Sequence, residues 1–125
     1  MEQKILVVDD ELDVCEAIRN YLMRRGYKIV IATSTQEAIT KLLSEKPVLI
    51  LLDILMPGID GIECLRRIRD LDKNVPVIMV TCVIDVDTAN EALRLGAVDY
   101  ITKPISFNEL ETLVSVRLSL LNGVR

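Results

Sequence analysis

Three short apolar stretches of this sequence, and the segment Asp99-Tyr100-Ile101, lead into polar residues of types that can do chemistry. Residues 5–8 run into Asp9-Asp10-Glu11, residues 48–52 into Asp53, residues 77–80 into Thr81, and residues 99–101 into Thr102-Lys103-Pro104. Carboxylates can hold a hard cation or act as nucleophiles, a hydroxyl can donate to an anion, and an ammonium can neutralise one. Each residue has an ordinary explanation alone. Asp10 can cap a helix, Asp53 can start a turn into Pro57-Gly58, Thr81 suits any strand end, and Lys103 can be a solvated charge. Gathered in one crevice, however, three carboxylates repel one another unless a cation compensates. A hard divalent ion such as Mg2+, bound through carboxylates and keeping several waters, meets that demand. Lys103 adds a positive charge from the opposite side.

Composition narrows the chemistry further. The chain has 125 residues and no histidine, which excludes imidazole bases, Ser-His-Asp triads and histidine metal sites. Its aromatic residues are Tyr21, Tyr27, Tyr100 and Phe107, too few for a base-stacking surface. With 15 basic and 19 acidic residues the net charge is −4, the wrong sign for coating a phosphate backbone. Cys15, Cys64 and Cys82 are odd in number and widely spaced, so neither a disulfide framework nor a zinc site is indicated. Each is expected to be a small buried hydrophobe in a reducing compartment. The opening Met1-Glu2-Gln3-Lys4 leads into an apolar run too short for a signal peptide, and no run approaches the ~20 residues of a membrane span. A soluble, cytoplasmic protein without membrane or direct nucleic-acid binding is expected.

The elements that must position these residues alternate along the whole chain. Strands are predicted at 5–8, 28–32, 48–52, 77–80 and 99–101, and helices at 13–25, 35–44, 62–70, 87–95 and 107–121. Four of the strands are almost continuously apolar, as strands covered by helices on both faces must be. Ser34 with Glu37 and Ser106 with Glu109 have capping-box spacing, and Gly26 and Gly96 follow cations where helices end. Five strand–helix alternations imply parallel strands with right-handed crossovers, hence a doubly wound α/β sheet. In such sheets ligands bind beyond the carboxyl ends of the strands, which is where the four polar endpoints fall. The absence of a linker or repeat predicts one domain over 1–125 with no effector domain.

The sequence resembles the receiver domain of two-component response regulators. The resemblance rests on Ile5-Leu6-Val7-Val8-Asp9-Asp10-Glu11, on the stretch from Leu51 to Gly61 containing Asp53 and Met56-Pro57-Gly58, on Pro76-Val77-Ile78-Met79-Val80-Thr81, and on Gly96 to Pro104. It implies a flavodoxin-like fold with five parallel strands in the order 2-1-3-4-5 and five flanking helices. It also implies that Asp53 accepts a phosphoryl group from a phosphohistidine of a sensor histidine kinase or phosphotransfer protein. Asp9, Asp10, Asp53 and the backbone carbonyl of Leu55 then hold Mg2+ or Mn2+. Thr81 bonds a phosphoryl oxygen, Lys103 neutralises the group, and the Lys103–Pro104 bond is cis. Tyr100 swings inward behind Thr81 and carries the signal to the face of the fourth helix, fifth strand and fifth helix, which controls an output partner or domain. That face is also the implied route to a homodimer. Charge neutralisation and positioning are what phosphoryl transfer chiefly requires, so the missing histidine is no obstacle.

Cys82 is larger than the residue usual after Thr81, so it stands with the lifetime-tuning positions as a side chain that can narrow access for phosphodonor or water, or as a reactive thiol near the site; the expectation for it is nonetheless a buried, inert thiol. Leu55 and Val83 stand where family members tune the lifetime of the phosphate. Neither can orient an attacking water, so self-dephosphorylation is expected to be slow. Three rivals remain. A haloacid dehalogenase-like phosphatase wants a second aspartate where Leu55 stands. A flavodoxin-like cofactor carrier wants a hydroxyl- and glycine-rich loop where Asp9-Asp10-Glu11 stands. A receiver-shaped interaction domain that no longer takes phosphate has no use for the full polar set. A phosphoacceptor that assists its own phosphorylation and dephosphorylation, rather than an enzyme acting on a separate substrate, is the expectation.

Overall fold

A computed structural model describes residues 3–56, 59–82 and 85–121, with residues 55, 56, 59 and 60 described as backbone alone. In chain order the elements are β1 (Lys4–Val8), α1 (Leu12–Met23), β2 (Lys28–Ala32), α2 (Thr35–Glu45), β3 (Leu49–Leu52), β4 (Leu55–Met56), β5 (Ile59–Asp60), α3 (Gly61–Leu71), β6 (Val77–Thr81), α4 (Val86–Arg94), β7 (Ala97–Thr102) and α5 (Phe107–Leu121). Five strands form one sheet in the order β2-β1-β3-β6-β7, and all four pairings are parallel. Counting these five alone, that is the order 2-1-3-4-5. The fold class and all ten predicted elements are present, with ends shifted by two residues or fewer.

The period-2 geometry of a strand divides the core into two. Leu6, Val8, Ile50, Leu52, Val77 and Met79 point to one face, where Ala38, Leu42, Cys64, Leu65, Ile68 and Ala92 of α2, α3 and α4 cover them. Ile5, Val7, Leu49, Leu51, Ile78 and Val80 point to the other, under Cys15, Ile18 and Leu22 of α1 and Leu110, Val114 and Leu118 of α5. β3 and β6 are buried along their whole length and β1 nearly so, whereas the edge strands β2 and β7 keep exposed positions. That difference is why the central strands read as unbroken apolar runs and the fifth does not.

Local chemistry fixes the element ends. Ser34 Oγ accepts the Glu37 N–H at 3.1 Å, and Glu37 Oε1 accepts the Thr33 N–H at 2.7 Å, a near relative of the predicted capping box. Ser106 Oγ accepts the Glu109 N–H at 3.3 Å. Gly26 at φ 92° and Gly96 at φ 86° take the left-handed backbone that lets the chain leave α1 and α4. A two-stranded antiparallel hairpin, with Leu55 paired to Asp60 and Met56 to Ile59, was not expected from the sequence. It lies directly after Asp53. The Gly61 N–H donates to the Ile54 carbonyl at 3.2 Å, and the two backbones approach so closely that a Cβ at Gly61 would overlap Ile54.

Candidate functional site

Hydrogen bonds that run past the strand ends bring the polar residues to one edge of the sheet. The Asp9 N–H donates to the Ala32 carbonyl at 3.1 Å, the Asp53 N–H to Val8 at 2.9 Å, and the Lys103 N–H to Thr81 at 2.8 Å. Leu52 pairs with Met79 and Thr81 with Thr102, so Asp53, Thr81 and Lys103 leave neighbouring strands nearly level with one another. The Lys103–Pro104 peptide is cis, as the resemblance implies.

The resulting site is charged and mostly buried. Asp9 and Asp53 are 2% and 3% exposed, and Thr81 1%. Lys103 Nζ donates to Asp9 Oδ2 at 2.7 Å and to Asp53 Oδ2 at 3.0 Å, bridging the two carboxylates. Asp9 Oδ1 accepts the Glu11 N–H at 2.9 Å. Burial pushes the Lys103 pKa down, but the hydrogen bonds and charges of Asp9 and Asp53 outweigh it and leave the ammonium above its ordinary value. Asp10, half-buried, completes a group in which carboxylate oxygens of Asp9, Asp10 and Asp53 lie within 4.8 Å of one another. Three carboxylates against one ammonium leave a formal charge of −2, and all the donors are hard oxygens. That set fits a divalent ion such as Mg2+. Thr81 Oγ1 is buried without a hydrogen-bond partner among the described residues. An unsatisfied buried hydroxyl at this point is suited to receive an oxygen that arrives with a ligand.

Several expectations need adjustment. Asp10 is not the N-cap of α1; Glu11 holds that position, and its side chain makes no capping bond. Cys82 is exposed rather than buried. β6 ends at the inward-facing Thr81, so the next residue has already left the sheet and turns toward solvent. Cys15 and Cys64 are buried as expected. Tyr100 is 59% exposed, its ring on the solvent side of β7 while its neighbour Ile101 enters the core. The backbone of Leu55 lies in β4, whereas its side chain and all of Val83 fall outside the described residues.

Sequence reasoning missed Cys15 as a neighbour of the site. Its thiol donates to the Asp9 carbonyl at 3.4 Å. Burial first, and then the charge of Asp9, push its pKa up to about 12, so it stays protonated and remains a donor. No local signal marks it, because contact across the turn from β1 to α1 is a property of the folded chain. Arg69 was also missed. Its guanidinium donates to the carbonyls of Leu95 at 2.6 Å, Val75 at 2.6 Å, Gly96 at 3.1 Å and Asp72 at 3.3 Å, tying the end of α3 to the α4–β7 turn.

No helix among the described residues is long and apolar enough to cross a membrane. A family model for the response regulator receiver domain matches residues 5–115. The chain is 34% identical over 120 residues to sporulation initiation phosphotransferase F of Bacillus subtilis, covering 96% of this chain and 97% of that one. It is 39% identical over 118 residues to the alkaline phosphatase synthesis transcriptional regulatory protein PhoP of Bacillus subtilis, covering 94% of this chain and 49% of the relative. Several transcriptional regulators that it matches are longer, and the chain spans only 26% to 49% of their length. Among solved structures, a CheY-like response regulator receiver domain protein from Methanospirillum hungatei superposes with a TM-score of 0.93. It is 28% identical, with 98% of each chain covered.

Proposed function

We propose, from the premise that this chain belongs to the response regulator receiver domain family, that Asp53 accepts a phosphoryl group from a phosphohistidine of a sensor histidine kinase or phosphotransfer protein. The observation that carries the proposal is the convergence of Asp9, Asp10 and Asp53 on one point at the sheet edge, with Lys103 bridging Asp9 and Asp53. An Asp53 carboxylate oxygen attacks phosphorus as the bond to the histidine nitrogen breaks, and that nitrogen leaves with its electron pair. Asp9, Asp10, Asp53 and the Leu55 carbonyl hold Mg2+, or Mn2+ in its place. The ion supplies charge neutralisation for the transferring group. Lys103 adds a second positive charge, and the unpartnered Thr81 hydroxyl bonds a phosphoryl oxygen once Asp53 is modified.

The same reading extends outward. The signal passes through Tyr100 to the face of α4, β7 and α5, where Val86, Leu93 and Tyr100 are exposed large side chains. That face contacts an output partner or domain and serves as the homodimer surface. The described unit is one receiver domain that acts in the cytoplasm and leaves nucleic-acid binding to other domains or proteins. It assists its own phosphorylation and dephosphorylation and turns over no separate substrate. Apolar residues at Leu55 and Val83 make loss of the phosphate slow, and Leu55→Asn shortens its lifetime.

A small acyl-phosphate donor tests the function. With Mg2+ the chain takes one phosphoryl group and releases it slowly, and chelation abolishes uptake. Steady turnover of a phosphate ester contradicts the proposal in favour of a phosphatase, and a label half-life of seconds in Mg2+ contradicts the slow release.

A further inference from the structure

We propose that Cys15 is a positioning residue for Asp9, acting through a thiol-to-carbonyl hydrogen bond; the inference rests on the cation-dependent function proposed above. Asp9 is held at every polar atom. Its N–H goes to the Ala32 carbonyl at 3.1 Å, its Oδ1 accepts from the Glu11 N–H at 2.9 Å and its Oδ2 from Lys103 at 2.7 Å. The fourth contact is the Cys15 thiol on the Asp9 carbonyl at 3.4 Å, with the Ala32 carbonyl 4.0 Å from the same sulfur. Cys15 is fully buried in the first turn of α1, so its donor has no water to turn to and no room to swing away.

The consequence follows from where the Asp9 peptide stands. The thiol fixes the plane of the Asp9–Asp10 peptide, which aims Asp10 and sets where the Glu11 N–H meets Asp9 Oδ1. Magnesium demands near-ideal octahedral geometry, and plausible sites tolerate errors of only about 0.2 Å in ligand position. Groups that orient metal ligands from behind typically contribute about 10–100-fold in metal affinity. A thiol is a weak donor, so its share falls at or below the lower end of that range, about 3- to 10-fold. The alternative is that Cys15 merely fills space among Ile18, Leu22 and their neighbours. That alternative predicts a dependence on side-chain volume, not on the presence of a donor.

The test compares the wild-type chain with Cys15→Ser, Cys15→Ala and Cys15→Val. Mg2+ affinity of the unphosphorylated protein is measured by titration calorimetry, and thermal midpoints by circular dichroism. Cys15→Ala and Cys15→Val, one smaller and one larger, both lose about 3- to 10-fold in Mg2+ affinity whatever their midpoints. Cys15→Ser, which keeps a donor, stays within about 2-fold of wild type despite its polar hydroxyl. In phosphodonor labelling, the Mg2+ concentration for half-maximal rate rises in the two variants that lack a donor, while the rate at saturating Mg2+ is unchanged. Wild-type affinity in Cys15→Val, or losses that track the thermal midpoints, overturn the inference alone. A wild-type chain that binds no Mg2+ overturns the proposed function, and this inference with it.

Discussion

Replacing Lys103 with methionine removes the cation between two buried carboxylates while keeping a flexible side chain of similar length. At 2.7 and 3.0 Å, and with an effective dielectric constant of about 20, each pair attracts by roughly 6 kcal/mol, much of it offset by desolvation of the three charges. Breaking a buried pair by removing one partner costs about 3–5 kcal/mol, because the remaining charge is left uncompensated. The Lys103 side chain is 16% exposed, which places the expectation near the lower end, about 3 kcal/mol. For a chain of this size that lowers the thermal midpoint by roughly 10 °C. The pH dependence follows from the raised pKa of Lys103. A group held above its unfolded value stabilises fully below that value, about 10.4 for lysine, and the contribution disappears as pH rises through the folded value. The difference between wild type and variant is therefore constant from neutrality to about pH 9 and shrinks in stronger alkali. Mg2+ should rescue the variant more than the wild type, since the ion no longer competes with Lys103. At ten times its dissociation constant it adds about 1.4 kcal/mol. The assay is urea denaturation followed by far-ultraviolet circular dichroism at pH 7 and 10.5, with and without Mg2+. A loss below about 1 kcal/mol at pH 7, with no recovery in Mg2+, refutes the reasoning.

Other parts of the structure make separate predictions. Gly61→Ala places a Cβ against the Ile54 backbone and forces the β5–α3 junction apart, with an expected loss of about 2–3 kcal/mol by urea denaturation. Ser34→Ala removes the side-chain acceptor for the Glu37 N–H and should cost about 1 kcal/mol, with Ser34→Asp restoring most of it. Alkylating reagent applied to the native chain should modify Cys82 and spare Cys15 and Cys64 until denaturant is added, as read by intact mass.

The sequence was most informative where one signal served both local and tertiary structure. Residues 49–52 and 77–81 are apolar at every position but the last, Thr81, because helices cover both faces. Their location in the sheet centre was therefore legible before any pairing was known. The site was legible for a related reason: polar residues at the carboxyl ends of such strands have few reasons to recur four times. The strand order itself came from resemblance, since nothing in the periodicity of β2 or β7 assigns them to opposite edges. The β4–β5 hairpin was not legible because its strands have two residues each, too short for any period. The exposure of Cys82 depends on the residue at which β6 stops, and apolar content alone does not show that boundary. Cys15 and Arg69 escaped notice for another reason: both act on backbone carbonyls, which carry no sequence signature.

The identity of the phosphoacceptor is the point on which the proposed function turns. Intact-mass measurement after treatment with a small acyl-phosphate, followed by peptide mapping, should find one phosphoryl group per wild-type chain in Mg2+. The label should lie on Asp53 and be absent from Asp53→Asn. Equal labelling of Asp53→Asn, or labelling of the wild type that is indifferent to Mg2+, would contradict the assignment of the site.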